Sequence, residues 1–223
     1  MKNLKQIIMS KKAILWDFDG CLCDSEHIHF LAYEKAFLKY NHTLSEHEYF
    51  ETFTHTGAGV SKEIEKYKIY CNPEDIRADK AVHYWNFISN KQAKIFNSIP
   101  EILSIIKNHK IINLIASNSP AKEINLILSQ NKHVEENIDS IVGLEPGMQK
   151  KPAPDLYLKA LSLLNLLPCD VIVIEDSERG LLAAQAAECE AIWIKTPFNL
   201  RFKTTAPYVA ELNHLELLNV LKS

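Results

Sequence analysis

The stretch Ile14-Leu15-Trp16-Asp17-Phe18-Asp19-Gly20 is an apolar run that ends in two carboxylates and a glycine. Residues two apart in a strand lie on the same side, so Asp17 and Asp19 would face one cleft, with Gly20 letting the chain turn where a ligand meets the backbone. Two acids so close repel. A hard divalent cation such as Mg²⁺ removes that conflict, because it takes ligands from carboxylate, carbonyl and water oxygens. An ordinary Asp-rich turn after a strand is the competing account of the same residues.

Further along, polar groups again follow apolar runs. Ile111 to Ala116 leads into Ser117-Asn118-Ser119-Pro120, and Val171 to Ile174 leads into Glu175-Asp176-Ser177. Between them, Lys150-Lys151-Pro152-Ala153-Pro154-Asp155 opens a helix-like stretch. In an open α/β sheet ligands bind at the carboxyl ends of the strands, where segments distant in sequence converge.

The order and spacing of these four segments resemble the haloacid dehalogenase superfamily, in particular its small phosphatases and β-phosphoglucomutase-like enzymes with a helical cap. Asp17-Phe18-Asp19-Gly20 is similar to the first motif, Ser117 to the second, Lys151 to Asp155 to the third, and Glu175-Asp176-Ser177 with Gly180 to the fourth. The resemblance spans nearly the whole chain. It implies an α/β fold, a Rossmann-like parallel sheet flanked by helices, with an inserted α-helical cap. Residues 1–24 and 97–223 would form the core and residues 25–96 the cap.

The local patterning leads to the same organisation. From Glu26 to about Phe96 the apolar spacing is helical throughout, with no convincing strand. Thr56-Gly57-Ala58-Gly59-Val60 breaks the pattern, and its glycines suit either a loop reaching toward a ligand or a plain helix-to-helix turn. After Ile99 the chain alternates. Helices are expected to Asn108, over Pro120–Asn131, Ala153–Leu164 and Ser177–Ala187; strands are expected over Ile111–Ala116, around Ser140–Val142, and over Val171–Ile174 and Ala191–Ile194. Tyr208 to Ala210 and Leu212 to Leu221 would add a last strand and helix. Sequential αβ units imply a parallel sheet.

Composition restricts the function classes. The 223 residues, 47% hydrophobic, suffice for a packed core, and a formal charge of −3 leaves no basic footprint for nucleic acid. Residues 1–12 hold only the short apolar stretch Ile7-Ile8-Met9, too little for a secretory segment or a membrane span, so a cytoplasmic location is expected. The five cysteines form neither an even disulfide set nor a zinc pattern, so reduced thiols are expected. Cys21 and Cys23 flank the acidic turn, as packing residues or as an oxidation switch. His27 and His29 lack the further ligands of a transition-metal site.

The resemblance also implies roles. Asp17 would be the nucleophile, passing through an aspartyl phosphate, and Asp19 the general acid and base. Asp17, the Asp19 carbonyl and Asp176, with Glu175 as a further ligand or an outer acceptor, would hold Mg²⁺. Lys151 would offset developing charge, with Lys150 a solvated neighbour and Asp155 orienting Lys151 or capping its helix. Gly20, Ser117 and Asn118 would bind phosphate, although Ser117 as a simple N-cap is the alternative. Cys21 stands where many relatives have threonine.

In the cap, His29 and, roughly, Lys80 match residues that handle substrate in β-phosphoglucomutases, Gly57 belongs to the loop that would reach the ligand, and Gly59-Val60-Ser61-Lys62 resembles the loop that grips a phosphate there. Lys62 stands where the mutases have arginine, and lysine cannot make a bidentate grip. Hydrolysis of a small phosphorylated metabolite, a sugar or polyol phosphate, is therefore expected of a monomer or weak homodimer. A sugar phosphomutase is the alternative, and a non-catalytic phospholigand-binding protein the contrasting class.

Overall fold

Six strands form one parallel sheet in the computed structural model, which describes residues 3–55 and 59–223. The strands are β1 (Ala13–Trp16), β2 (Ile112–Ala116), β3 (Ser140–Val142), β4 (Val171–Glu175), β5 (Glu190–Ile194) and β6 (Ala210–Leu212). Their spatial order is β3-β2-β1-β4-β5-β6, with every neighbouring pair parallel. β1 and β4 are buried along their whole length, which is why they read as continuous Ala/Ile/Leu/Val/Trp runs and not as alternating patterns. Helices cover the sheet, and one core cluster packs Leu15, Leu114 and Val173 against Leu156, Tyr157, Leu181 and Ala184.

This order places a switch point between β1 and β4. The chain moves outward from β1 through β2 to β3, then crosses back to β4 and moves the other way. In open α/β sheets ligands bind at such a switch point, beside the strands' carboxyl ends. Asp17, Ser117 and Asp176 each follow directly on one of the three central strands.

The chain divides into two compact units: one holds the sheet, made of the chain up to Asp24 and Ile95–Ser223, and the other is Ser25–Lys94. In the second, helices Glu26–Leu38 and Pro73–Ser89 bury Ile28, Phe30, Ala36 and Phe37 on one and Ile76, Tyr84 and Ile88 on the other. Pro73 starts the longer helix behind an Asn72 cap that accepts from the Glu74 amide, a favourable start for an N-terminus whose first amides lack partners. Tyr33, Tyr49 and Phe53 form an aromatic cluster on which a π-helical turn, Tyr49–His55, is packed.

Several elements differ from the pattern expected of the sequence. Leu4–Met9 is a helix, closed by a capping box between Asn3 and Gln6. A two-residue strand, Lys94–Ile95, ends the stretch expected to be wholly helical, and the last strand lies at Ala210–Leu212, two residues beyond its expected place. Both are short and only partly buried, so hydrophobic periodicity carries little information there.

Candidate active site

The acidic turn is built by backbone geometry. The Asp17 amide donates to the Ile174 carbonyl at 2.9 Å, carrying the β1–β4 ladder one residue past the strand. The Phe18 carbonyl then accepts from the amides of Leu22 and Cys23, both at 2.9 Å, so the chain reverses at once. Gly20 sits at φ +78°, the left-handed region that favours glycine. A Cβ there would lie 2.3 Å from Oδ2 of Asp176, so the glycine also makes room for that carboxylate.

Lys151 is the centre of the site. Its ammonium donates to Oδ1 of Asp17 at 2.6 Å, to Oε1 of Glu175 at 2.6 Å and to the Ala116 carbonyl at 2.7 Å. All three N–H bonds are thereby used, as a lysine only 2% exposed requires. Burial alone would push the Lys151 pKa down, yet the Asp17 and Glu175 carboxylates hold it above the ordinary lysine value. Burial, with the Glu175 charge added, lifts the Asp17 carboxyl well above its usual range against the pull of Lys151. Burial therefore acts oppositely on the two groups, while the excess of carboxylates over ammonium groups in this pocket raises both.

Glu175 is completely buried. Its Oε1 accepts from Lys151 and from the Tyr157 hydroxyl, both at 2.6 Å, and Oε2 accepts from the Ser177 hydroxyl at 3.1 Å. Ser177 caps the next helix by accepting from the Gly180 amide. A Cβ on Gly180 would fall within 1.8 Å of the Glu175 carboxyl group, so this glycine gives the carboxylate its space.

Asp17, Glu175 and Asp176 present carboxylate oxygens within 4.8 Å of one another. An all-oxygen, carboxylate-rich set with one balancing ammonium has the chemistry of a hard divalent-cation site. Gly20 leaves the Asp176 side of it open, and Lys151 engages Asp17 through Oδ1. The residues present therefore fit such an ion. Because both Glu175 oxygens already accept from Lys151, Tyr157 and Ser177, Asp17 and Asp176 are the better-disposed donors.

Asp19 accepts from the Ser119 hydroxyl through Oδ2, linking the β1 turn to the β2 turn. Ser119 in turn donates its amide to Oγ of Ser117 at 3.1 Å. Ser117, 2% exposed, is therefore not the N-cap of the following helix, which begins after Pro120. Asn118 uses Oδ1 to accept from the Lys151 amide at 3.0 Å, and Arg179 donates to the Lys151 carbonyl, so the lysine's backbone is held from two other strand ends. Asp155 does not orient Lys151. Its carboxylate accepts from the Gln149 amide at 2.9 Å.

Residues 14–194 match the model of the haloacid dehalogenase-like hydrolases. The chain belongs to that family. Among curated relatives, it is 28% identical to a phosphorylated carbohydrates phosphatase of Thermotoga maritima over 95% of this chain and 98% of that protein. It is 27% identical to the β-phosphoglucomutase of Bacillus subtilis over 82% and 83% of the two chains. The crystal structure of CbbY from Rhodobacter sphaeroides in complex with phosphate superposes with a TM-score of 0.78, covering 96% of this chain and 100% of that one at 23% identity, a likeness of fold.

In this dehalogenase-like chain the residues expected to handle substrate from the helical insert fall into two groups. Lys80 Nζ lies 2.8 Å from Nδ1 of His29, 4.3 Å from the Tyr84 ring centre and 5.5 Å from that of Tyr33. An ammonium only donates, so Nδ1 is the acceptor in this contact. The ring also stacks on Tyr84 at 4.1 Å. Lys62 is exposed on helix Gly59–Tyr67, and Gly57 lies outside the described residues.

The cysteines are all free, and Cys21 is buried beside the site. Its thiol donates to the Ile174 carbonyl at 3.5 Å, and burial pushes its pKa well up. A buried, protonated thiol is inert, which favours packing over an oxidation switch. The Ser119, Tyr157 and Arg179 contacts were not foreseen from the sequence. Ser119 alone carried a signal, as a second hydroxyl in the turn after β2.

Proposed function

We propose that this protein is a Mg²⁺-dependent phosphatase of small phosphorylated metabolites, sugar or polyol phosphates, acting through an aspartyl phosphate on Asp17. The observation that carries the reading is the Lys151 ammonium, bonded at once to Asp17 and Glu175 beside Asp176. Family membership and the relative that acts on phosphorylated carbohydrates support it. Among the described residues no helix is long and apolar enough to cross a membrane, and the five free thiols are in keeping with a reducing, cytoplasmic setting.

Asp17, the Asp19 carbonyl and Asp176 would hold the cation, with Glu175 behind them orienting Lys151. The bound cation would neutralise phosphoryl oxygens and screen the acids from one another. Oδ2 of Asp17 attacks phosphorus while Lys151 stays on Oδ1, so the ammonium remains beside the charge that gathers as the two groups meet. Asp19 gives its proton to the departing alkoxide, leaving alcohol and phosphoaspartate. In the second step Asp19 takes a proton from water as that water attacks phosphorus, which restores Asp17 and releases phosphate. Ser119 holds the Asp19 carboxylate in the turn while it changes protonation state.

The paired His29 and Lys80 and the similarity to a β-phosphoglucomutase support transfer to a sugar hydroxyl as the second reading. A panel of phosphorylated metabolites, ranked by kcat/KM with phosphate release as readout, tests the first. β-Glucose 1-phosphate with a bisphosphate primer tests the second: glucose 6-phosphate accumulating without free phosphate would overturn the hydrolase assignment. No turnover of any aryl, acyl or sugar phosphate would leave only a binding protein.

A further inference from the structure

Asp176 is held by its backbone as well as by its place at the end of β4. Its carbonyl accepts from Nδ2 of Asn199 at 2.7 Å and from the indole N–H of Trp193 at 3.0 Å. Neither residue belongs to the four segments that carry the family resemblance. Trp193 is in β5, and Asn199 lies in the turn after it.

Asn199 is 4% exposed, and its amide group is fully employed. Nδ2 donates a second bond to the Ile194 carbonyl at 2.8 Å, and Oδ1 accepts from the Thr196 amide at 2.9 Å. This one side chain therefore joins the end of β5, its own turn and the residue after β4. Lys195 reinforces the same turn, donating to the carbonyls of Asn199 at 2.9 Å and Phe202 at 3.1 Å, with its ammonium 3.7 Å from the Trp193 ring centre.

We infer that Asn199, seconded by Trp193, is a positioning residue that sets the affinity of the cation site by fixing the Asp176 backbone. The inference rests on the proposed role of Asp176 as a metal ligand. Asp176 begins the connection between β4 and the helix Glu178–Ala186, where no sheet ladder restrains it. Its carboxylate must keep its place against Gly20, where a Cβ would already clash. Two donors on one carbonyl fix the peptide plane from which that side chain projects. Outer partners of this kind typically govern metal affinity by roughly 10–100-fold.

The test is Mn²⁺ binding to the full chain, followed by the electron paramagnetic resonance of free Mn²⁺, for wild type, Asn199→Leu, Trp193→Phe and Asp176→Asn. Asn199→Leu should weaken Mn²⁺ binding by about 10-fold or more, and Trp193→Phe by a smaller factor. Saturating Mg²⁺ should restore kcat in both, a rescue that a merely structural defect would not show. If Asn199→Leu fails to fold, Trp193→Phe carries the test. Wild-type Mn²⁺ affinity in folded Asn199→Leu and Trp193→Phe, alongside a loss in Asp176→Asn, overturns this inference and leaves the metal site standing. Unchanged affinity in Asp176→Asn overturns both.

Discussion

Nζ of Lys151 lies 2.6 Å from Oδ1 of Asp17, across 134 positions of sequence, and both groups are buried. Removing one partner of a buried pair leaves an uncompensated charge, which costs far more than the pair contributes. Lys151→Met should therefore destabilise the fold by about 3–5 kcal/mol at neutral pH. Urea denaturation monitored by circular dichroism measures this. A midpoint equal to wild type would mean that the carboxylates are not held as a charged cluster.

Tyr157→Phe isolates a smaller part of the same network. It removes the hydroxyl that donates to Glu175 while keeping the ring over Lys151. A hydrogen bond to a charged group is worth about 1.5–3 kcal/mol, and a loss in that range is expected in the same denaturation experiment.

Asp17→Asn should abolish turnover, since an amide cannot form the phosphoaspartate. Asp19→Asn should slow both steps, by about 10²–10⁴-fold for an alkyl phosphate that needs a proton on its leaving oxygen. With p-nitrophenyl phosphate the first step needs no such proton. Rapid-quench assays of Asp19→Asn should then show one equivalent of nitrophenol released in a burst, followed by slow release of phosphate. An Asp17→Asn enzyme with normal rates would rule out the nucleophile.

Gly180→Ala reverses the usual expectation for a helix. Replacing a helical glycine with alanine ordinarily gains about 1 kcal/mol. Here the new methyl would meet the Glu175 carboxyl at 1.8 Å, and Glu175 is tied by Lys151, Tyr157 and Ser177. A net loss of about 1–3 kcal/mol is expected. A rise in Tm would show that Glu175 can yield.

His214 gives stability a pH dependence. Its Nε2 lies 2.7 Å from the Cys21 carbonyl, its ring stacks on Phe96 at 4.5 Å, and burial lowers its pKa despite that bond. The folded protein thus resists protonating His214, while the unfolded chain protonates it near the ordinary histidine value of 6.5. Its stability is fully present above that pH and is lost as pH falls through the lower folded value. Between pH 7.5 and 5.5 the Tm of wild type should fall more steeply than that of His214→Gln. Parallel slopes would show that His214 does not titrate differently on folding.

The parallel sheet was legible because β1, β2 and β4 are buried over nearly all their length and read as largely apolar runs, interrupted in β2 by Asn113, between helical patterns. The helix Leu4–Met9 was not, since Ile8 is its one fully buried residue and a six-residue segment shows little periodicity. Ser140–Val142 fell where expected, but the edge strand Ala210–Leu212, with Glu211 exposed at its centre, did not.

The types of group gathered at the strand ends follow from the amino-acid order alone, because strand and helix periods are local and each polar cluster directly follows its apolar run. The pairing of those groups is decided by the tertiary structure. That Lys151 spends all three protons on Asp17, Glu175 and Ala116, that Tyr157 donates to Glu175, and that Asn199 holds the Asp176 carbonyl all depend on how helices and turns pack on the sheet. Hydrogen bonds between groups tens to more than a hundred residues apart are satisfied or not by that packing, and no spacing along the chain encodes it.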